Sequence, residues 1–343
     1  MEDLAQVARD LVAPGKGILA ADESTGTIQR RFEAIGVENT EANRRAYREL
    51  LFRTRGANEF ISGVILYDET IKQKAADGTP LVKLLTDQGI APGIKADIGA
   101  KPLAGAPGET VTEGLDGLRE RLAEYRQLGA VFSKWRAVIT IGDGIPSAYC
   151  IDANAHALAR YAALSQEAGI VPIVEPEVLM DGTHSIERCY EVTRTTYQEV
   201  FRQLALHRVG FEEMLLKASM VLSGKSAQNR AAPDAVARAT VECFKESVPA
   251  AVPGIVFLSG GQSDDEATRN LDAINRYAAK TRAPWELSFS YGRGLQAAPQ
   301  KTWSGKSENV AAAQRAYYHR AKVTAAARMG KYSPAMEKEA AAA

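Results

Sequence analysis

The 343-residue chain has little cysteine: Cys150, Cys189 and Cys243 are far apart and form no CxxC pair. So sparse and odd a set excludes a disulfide framework and reads as reduced, buried thiols in a reducing compartment. Histidine is nearly as scarce. His156, His184, His207 and His319 are scattered, with no two at metal-ligand spacing, so a zinc centre is disfavoured and no cofactor is expected. An excess of one charge is also missing, since 42 basic residues balance 42 acidic ones. That balance argues against a nucleic-acid partner but permits a local cationic pocket. No stretch approaches the ~20 apolar residues of a membrane span. The N-terminal segment MEDLAQVARDLVAPGKG is amphipathic, carries acids and lacks the apolar centre of a secretion signal. A soluble, cytoplasmic protein is therefore expected. GxGxxG, internal repeats and Gly/Ser or Pro linkers are absent as well. One domain over residues 1–343 is the economical reading, with residues 334–343, which run into alanines, expected as a flexible tail.

What the chain does contain is apolar material, 45% of its residues, in eight short runs separated by longer helix-period segments. The runs are Gly17–Ala21, Phe60–Tyr67, Ala91–Ala96, Val131–Val138, Ile170–Val174, Met214–Leu216, Gly254–Leu258 and Leu287–Ser290. Many are rich in Val and Ile, as strands buried on both faces should be. Between them, Ile186, Cys189, Tyr190, Thr193, Tyr197, Val200, Phe201 and Leu204 recur on one face of a helix. Asp264–Asp265–Glu266 opens another helix with acids at its positive end, and Pro233–Asp234 suits a first turn. Eight strand–helix alternations predict parallel pairing and an α/β fold closed as a (β/α)8 TIM barrel. An open doubly wound sheet is the alternative.

Charge interrupts these runs in a pattern. Asp22 closes the first strand, Lys95 the third, Glu175 the fifth and Lys217 the sixth; Arg293 follows the eighth and Lys134 sits inside the fourth. One such charge is ordinarily a solvated strand end or half of an ion pair. Six strands doing it together place charge around the C-terminal mouth, where barrel active sites lie. By alternation Lys134 and Arg136 share a face opposite Trp135, and Glu175 and Glu177 share a face. With Trp135 packed outward, both cations point into the mouth.

Three lysines and two carboxylates around one mouth favour imine chemistry over hydrolysis. A lysine ammonium is not a nucleophile: at an unperturbed pKa of ~10.4, about one in 2,500 is neutral at pH 7. Desolvation and a second cation nearby both favour the amine, which attacks a carbonyl to form an imine, an electron sink for breaking a carbon–carbon bond two atoms away. Lys217, in Leu-Leu-Lys, has the apolar setting, and Lys134 or Lys95 could be the second cation. Glu175 and Asp22 could move the protons.

Two loops read as anion sites. Ser259-Gly260-Gly261 follows the seventh strand and opens a helix, and Gly292-Arg293 follows the eighth; this is where such barrels commonly hold phosphate. Arg293 offers a charged fork. A second cluster, Ser24, Thr25, Gly26 and Thr27 with Arg30 and Arg31, lies after the first strand, and Lys95 could face it. Each is readable as an ordinary turn or a capped helix. Two phosphates flanking an imine-forming lysine describe a bisphosphorylated ketose.

From about Ala13 to Pro334 the chain resembles the class I fructose-bisphosphate aldolases. The matching segments are APGKGILAADESTGTIQRRF, GIKAD, KWRAVITIG, GIVPIVEPEVL, LLKASMV, FLSGGQS and FSYGRGLQ, in order along the barrel. The resemblance implies reversible, metal-independent cleavage of fructose 1,6-bisphosphate to dihydroxyacetone phosphate and glyceraldehyde 3-phosphate, in glycolysis and gluconeogenesis. It implies an imine on Lys217, acid/base work by Glu175, stabilisation of intermediates by Lys134, and Asp22 near the hydroxyl that loses its proton. It aligns Ser259, Gly260, Gly292 and Arg293 with the 1-phosphate site, and Ser24, Thr27 and Lys95 with the 6-phosphate site, Arg31 nearby. Glu177 and Arg136 would support them. A cytoplasmic homotetramer is also implied. Thr27 and Arg30 stand where animal members carry serine and lysine, and LLKASM lacks the proline usual after the lysine. The tail of alanines replaces one ending in a tyrosine that assists proton exchange on the three-carbon enamine, so that exchange is expected to be slower or served by another group. The rival readings are another imine-forming barrel lyase, transaldolase-like, and a non-catalytic scaffold.

Overall fold

In a computed structural model, which describes residues 3–341, the eight apolar runs form eight strands. They are β1 (Gly17–Ala21), β2 (Ile61–Leu66), β3 (Ala91–Lys95), β4 (Phe132–Ile139), β5 (Val171–Val178), β6 (Leu215–Ala218), β7 (Gly254–Phe257) and β8 (Glu286–Tyr291). All pair in parallel and close into a barrel in the order β1-β8-β7-β6-β5-β4-β3-β2. Helices run between successive strands and cover the outside, as parallel pairing requires. The helix read from periodicity spans Ile186–Leu206, capped by Ser185 accepting from the Arg188 N–H at 3.3 Å. Pro233 opens the helix Pro233–Ser247, and Ser263 caps Asp264–Thr281 through the Glu266 N–H at 3.2 Å.

Two strands run past the boundaries that composition marks. Strand β5 continues to Val178, carrying Glu175, Pro176 and Glu177 inside it, and β6 includes Lys217, whose register partner is Val256. Charge ended the apolar pattern in both places, but the barrel keeps pairing, because those side chains turn into a polar mouth rather than into the core. A feature absent from the pattern is the antiparallel hairpin Gly99–Pro102/Thr110–Glu113, too short and too polar to register as strands.

The barrel interior is filled from below. The helix Leu4–Leu11 begins at Asp3, whose carboxylate accepts the Ala5 N–H at 3.0 Å, and it inserts Ala8 and Leu11 among Phe132, Val171, Ile173, Leu215 and Val256. Arg328 fastens it by donating to the Val12 carbonyl and to Glu286 at 3.0 Å. Phe132 occupies the space that Gly63 and Gly93 leave: a Cβ added at Gly93 would lie 2.3 Å from its ring. Gly93→Ala must therefore push a fully buried ring out of a packed interior. We expect it to lower stability by about 1–3 kcal/mol, read as a fall in the urea midpoint at unchanged slope. An unchanged midpoint would mean that the ring is not fixed there.

The segment expected as a flexible tail begins at Pro334. Pro334–Ala341 forms 3-10 turns, and Glu337 pairs with buried Arg320 at 2.6 Å; residues 342–343 lie outside the described residues. Polar anchoring of this kind is invisible to a composition-based reading. Among the described residues no helix is long and apolar enough to cross a membrane. The three cysteines are buried and unpaired.

Candidate active site

Strand alternation settles the orientation of the β4 and β5 charges. Trp135 is buried outside the barrel, stacked on Tyr161 of the helix Ala148–Glu167 with ring centroids 5.4 Å apart. Its neighbours Lys134 and Arg136 consequently face inward. Pairing of β4 with β5 sets Arg136 beside Glu175 and Val138 beside Glu177, so both acids face inward too. The C-terminal mouth opens into a cleft of about 1040 Å³. Most residues singled out from the sequence line it: Lys217, Glu175, Lys134, Asp22, Glu177 and Arg136, the Ser259, Gly260, Gly292 and Arg293 group, and the Ser24, Thr27, Arg30, Lys95 and Arg31 group; Thr25, Gly26 and Gly261 do not.

Lys134 is the electrostatic centre. Its Nζ lies 2.8 Å from Asp22 Oδ2, 3.3 Å from Glu175 Oε2 and 4.0 Å from Asp97 Oδ2. Burial works against its charge, yet Asp22, Glu175 and Asp97 outweigh burial and hold the ammonium well above the usual lysine range. Asp22 mirrors it. Burial alone would raise its carboxyl, but Lys134, then Lys217, bring it well below the ordinary carboxylate range. Burial likewise opposes the Arg136 guanidinium and Glu177 overrides it, raising its pKa. Lys95 behaves in the opposite sense: burial lowers its ammonium, with Asp97 resisting.

Glu175 bridges the two central lysines. Its Oε1 is 3.1 Å from Lys217 Nζ and its Oε2 faces Lys134. The Lys134 contact is not an aligned hydrogen bond, so Oε2 keeps lone-pair capacity for a water or a substrate hydroxyl. Lys217, Glu175 and Lys134 are 5%, 2% and 3% exposed, dry enough for their mutual fields to be strong. The sequence places apolar neighbours around Lys217, with Lys134 or Lys95 as a nearby cation and Glu175 and Asp22 to move protons. In the structure the Glu175 carboxylate is the near neighbour of Lys217, a proton acceptor in direct reach.

The loops after β7 and β8 are packed together: a Cβ on Gly294 would lie 3.3 Å from that of Ser259. Gly260 adopts φ +52°, a conformation that glycine reaches without strain. Arg293 donates through Nη2 to the Gly260 carbonyl and, at 3.1 Å, to that of Gln262, leaving its other donors for an anion. It opens the helix Arg293–Trp303, whose N-terminus adds positive potential. Across the mouth, Ser24 precedes the helix Thr25–Glu33, and its hydroxyl lies 3.2 Å from that of Thr27. Arg31 lies one turn beyond Thr27 on the same helix. It pairs with Glu23 and reaches toward the β8 loop, its Nη2 being 3.7 Å from where a Gly292 Cβ would stand.

Three participants escaped the sequence reading. Glu23 is buried between Arg31 and Arg48 and accepts from Gln296 Nε2 at 2.8 Å, tying the end of β1 to the helix after β8. Asp97 follows Lys95 by two residues, which alternation could have flagged. Ser290 lies buried near the end of β8 beside the cleft, and its buried hydroxyl has no hydrogen-bond partner.

A sequence profile for "Fructose-bisphosphate aldolase class-I" matches residues 3–343. A "Probable fructose-bisphosphate aldolase class 1" of Xanthomonas campestris is 58% identical over 333 residues, covering 97% of this chain and 99% of the relative. "Fructose-bisphosphate aldolase 6, cytosolic" of Arabidopsis thaliana is 53% identical, covering 96% and 92% of the two chains. Among solved structures, the fructose-bisphosphate aldolase of Plasmodium falciparum, crystallised with TRAP and a small-molecule inhibitor, superposes with a TM-score of 0.94 at 48% identity, covering 96% of this chain and 95% of its own. The chain belongs to the class I fructose-bisphosphate aldolase family.

Proposed function

We propose that this chain acts as one catalytic unit that cleaves fructose 1,6-bisphosphate reversibly through an imine on Lys217, without a cofactor. The observation that carries the reading is the buried relay Lys217–Glu175–Lys134–Asp22, lying in one cleft with two anion-binding loops. Glu175 takes the Lys217 proton, and the freed amine adds to the ketose C2 carbonyl. Glu175 then returns a proton to the C2 hydroxyl, which leaves as water and gives the iminium. Asp22, a firm carboxylate, accepts the proton of the C4 hydroxyl as the C3–C4 bond breaks; the bonding electrons move into the iminium and leave an enamine. Glyceraldehyde 3-phosphate departs, the enamine is protonated at C3, and water hydrolyses the imine to release dihydroxyacetone phosphate. Lys134 holds the two acids in place and stabilises oxyanions.

Ser259, Gly260, Gly292 and Arg293 serve the 1-phosphate, joined by Arg31 from its position beside Gly292. Ser24, Thr27 and Lys95 serve the 6-phosphate. Glu177 and Arg136 form the supporting pair beside the relay. A cytoplasmic setting fits relatives such as the spinach "cytoplasmic isozyme", and a homotetramer is the assembly implied by the resemblance.

Two phosphate sites make a specific demand: kcat/KM for fructose 1,6-bisphosphate should exceed that for fructose 1-phosphate by on the order of 10²-fold, as one charge-assisted phosphate site contributes a few kcal/mol. A coupled assay measures both, and activity should survive a chelator. Preference for the monophosphate would refute the second site and favour a different imine-forming lyase.

A further inference from the structure

Lys95 and Lys134 are register partners on adjacent strands, and both side chains turn into the cleft. Two ammonium groups so placed repel and would compete for the same acids. Asp97, buried at the end of β3, separates them. Its Oδ1 accepts from Lys95 Nζ and from the Gly99 N–H at 3.1 Å. Its Oδ2 accepts the Arg136 N–H at 3.1 Å and faces Lys134 Nζ at 4.0 Å. The carboxylate itself cannot drift. Arg121 braces the chain around it by donating to the Ala96 carbonyl at 2.8 Å and to that of Gly114. Thr112 of the hairpin donates to the Arg136 carbonyl at 2.7 Å, so the Arg136 residue is held at both its N–H and its carbonyl.

We propose that Asp97 is a positioning residue that divides its carboxylate between two lysines, holding Lys95 for the sugar 6-phosphate and keeping Lys134 centred on Asp22 and Glu175. The division follows from chemistry. Lys95 Nζ donates to Asp97 Oδ1 and, at 2.7 Å, to the Asp97 carbonyl, which leaves its third N–H for a phosphate dianion. The acid thus keeps the first lysine aimed at the phosphate through Oδ1, while Oδ2, fixed by the Arg136 N–H, keeps its hold on the second. This inference rests on the assignment of Lys95 to the 6-phosphate.

The two halves of the role separate in kinetics. Asp97→Asn keeps the size and one acceptor oxygen but removes the charge. With the full-length enzyme, kcat should fall about 10-fold on both fructose 1,6-bisphosphate and fructose 1-phosphate, because Lys134 loses its centring. KM should rise about 10-fold on the bisphosphate alone, because Lys95 is no longer held. Asp97→Glu restores the charge and should recover part of the KM effect. Melting curves and borohydride labelling of Lys217 with dihydroxyacetone phosphate show that each variant is folded with a working amine. Wild-type constants in Asp97→Asn, or a KM rise equal on both substrates, would overturn the proposal. Should Asp97→Asn fail to fold, Asp97→Glu decides by the same split. Absence of bisphosphate cleavage by the unaltered enzyme would instead defeat the functional reading itself.

Discussion

Replacing Lys217 by methionine should lower kcat/KM for fructose 1,6-bisphosphate by roughly 10⁴–10⁶-fold, the range seen when a covalent nucleophile is removed from a working site. Methionine matches the length and most of the volume of lysine, so the strand β6 and its apolar neighbours Leu215 and Leu216 need not repack. The loops proposed to hold the phosphates lie elsewhere in the cleft and keep their groups. Binding of the bisphosphate, measured by calorimetry, should change less than about tenfold. A large loss of turnover with retained binding separates chemistry from recognition. Retained turnover within 100-fold of the parent would place the nucleophile on another residue.

Lys134→Met should be damaging in a different way. It leaves the Asp22, Glu175 and Asp97 carboxylates, now 2.8 Å, 3.3 Å and 4.0 Å from the ammonium, without their common cation. Turnover should fall by on the order of 10³-fold, and stability by about 3–5 kcal/mol, the cost of breaking a buried charge pair. The pH dependence has a definite sign. In the parent, the raised Lys134 ammonium contributes stability that is fully present below the ordinary lysine range and lost only above it. The depressed Asp22 carboxylate contributes stability above the ordinary aspartate range, lost as pH falls through its lowered folded value. Parent stability should therefore stay nearly flat from pH 5 to 7 in these groups. Burial is already the largest single influence on Asp22, and without Lys134 fewer cations oppose it, so its carboxyl moves up and protonation relieves the variant. Its melting temperature should rise as pH is lowered from 7 to 5, and a fall over that interval would contradict the electrostatic account.

Much of this site was legible in the sequence because a barrel converts strand periodicity into direction. Trp135 between Lys134 and Arg136 fixed which side of β4 faces inward, and the structure stacks that ring on Tyr161 outside. Charged residues at the ends of apolar runs located the mouth, since no other part of a barrel tolerates them together. The runs also gave eight strands, though not their ends: Glu175 and Lys217 looked like terminators and are paired strand residues. What remained hidden depended on contacts between distant segments. Nothing local reveals that Arg48 and Gln296, 248 positions apart, meet at Glu23, or that Arg320 anchors Glu337. Nor does it reveal that Leu4–Leu11 plugs the barrel floor. Asp97 is intermediate, since its alternation with Lys95 was visible while its second contact, through β4, was not.

The central claim is that the Lys217 amine becomes the covalent partner of the substrate, with Glu175 at 3.1 Å as its proton acceptor. Reduction with borohydride in the presence of dihydroxyacetone phosphate, followed by peptide mapping, tests it directly. A single three-carbon adduct on Lys217, with stoichiometric loss of activity, is the predicted result. An adduct on Lys95 or Lys134, or none while the enzyme turns over, would contradict it.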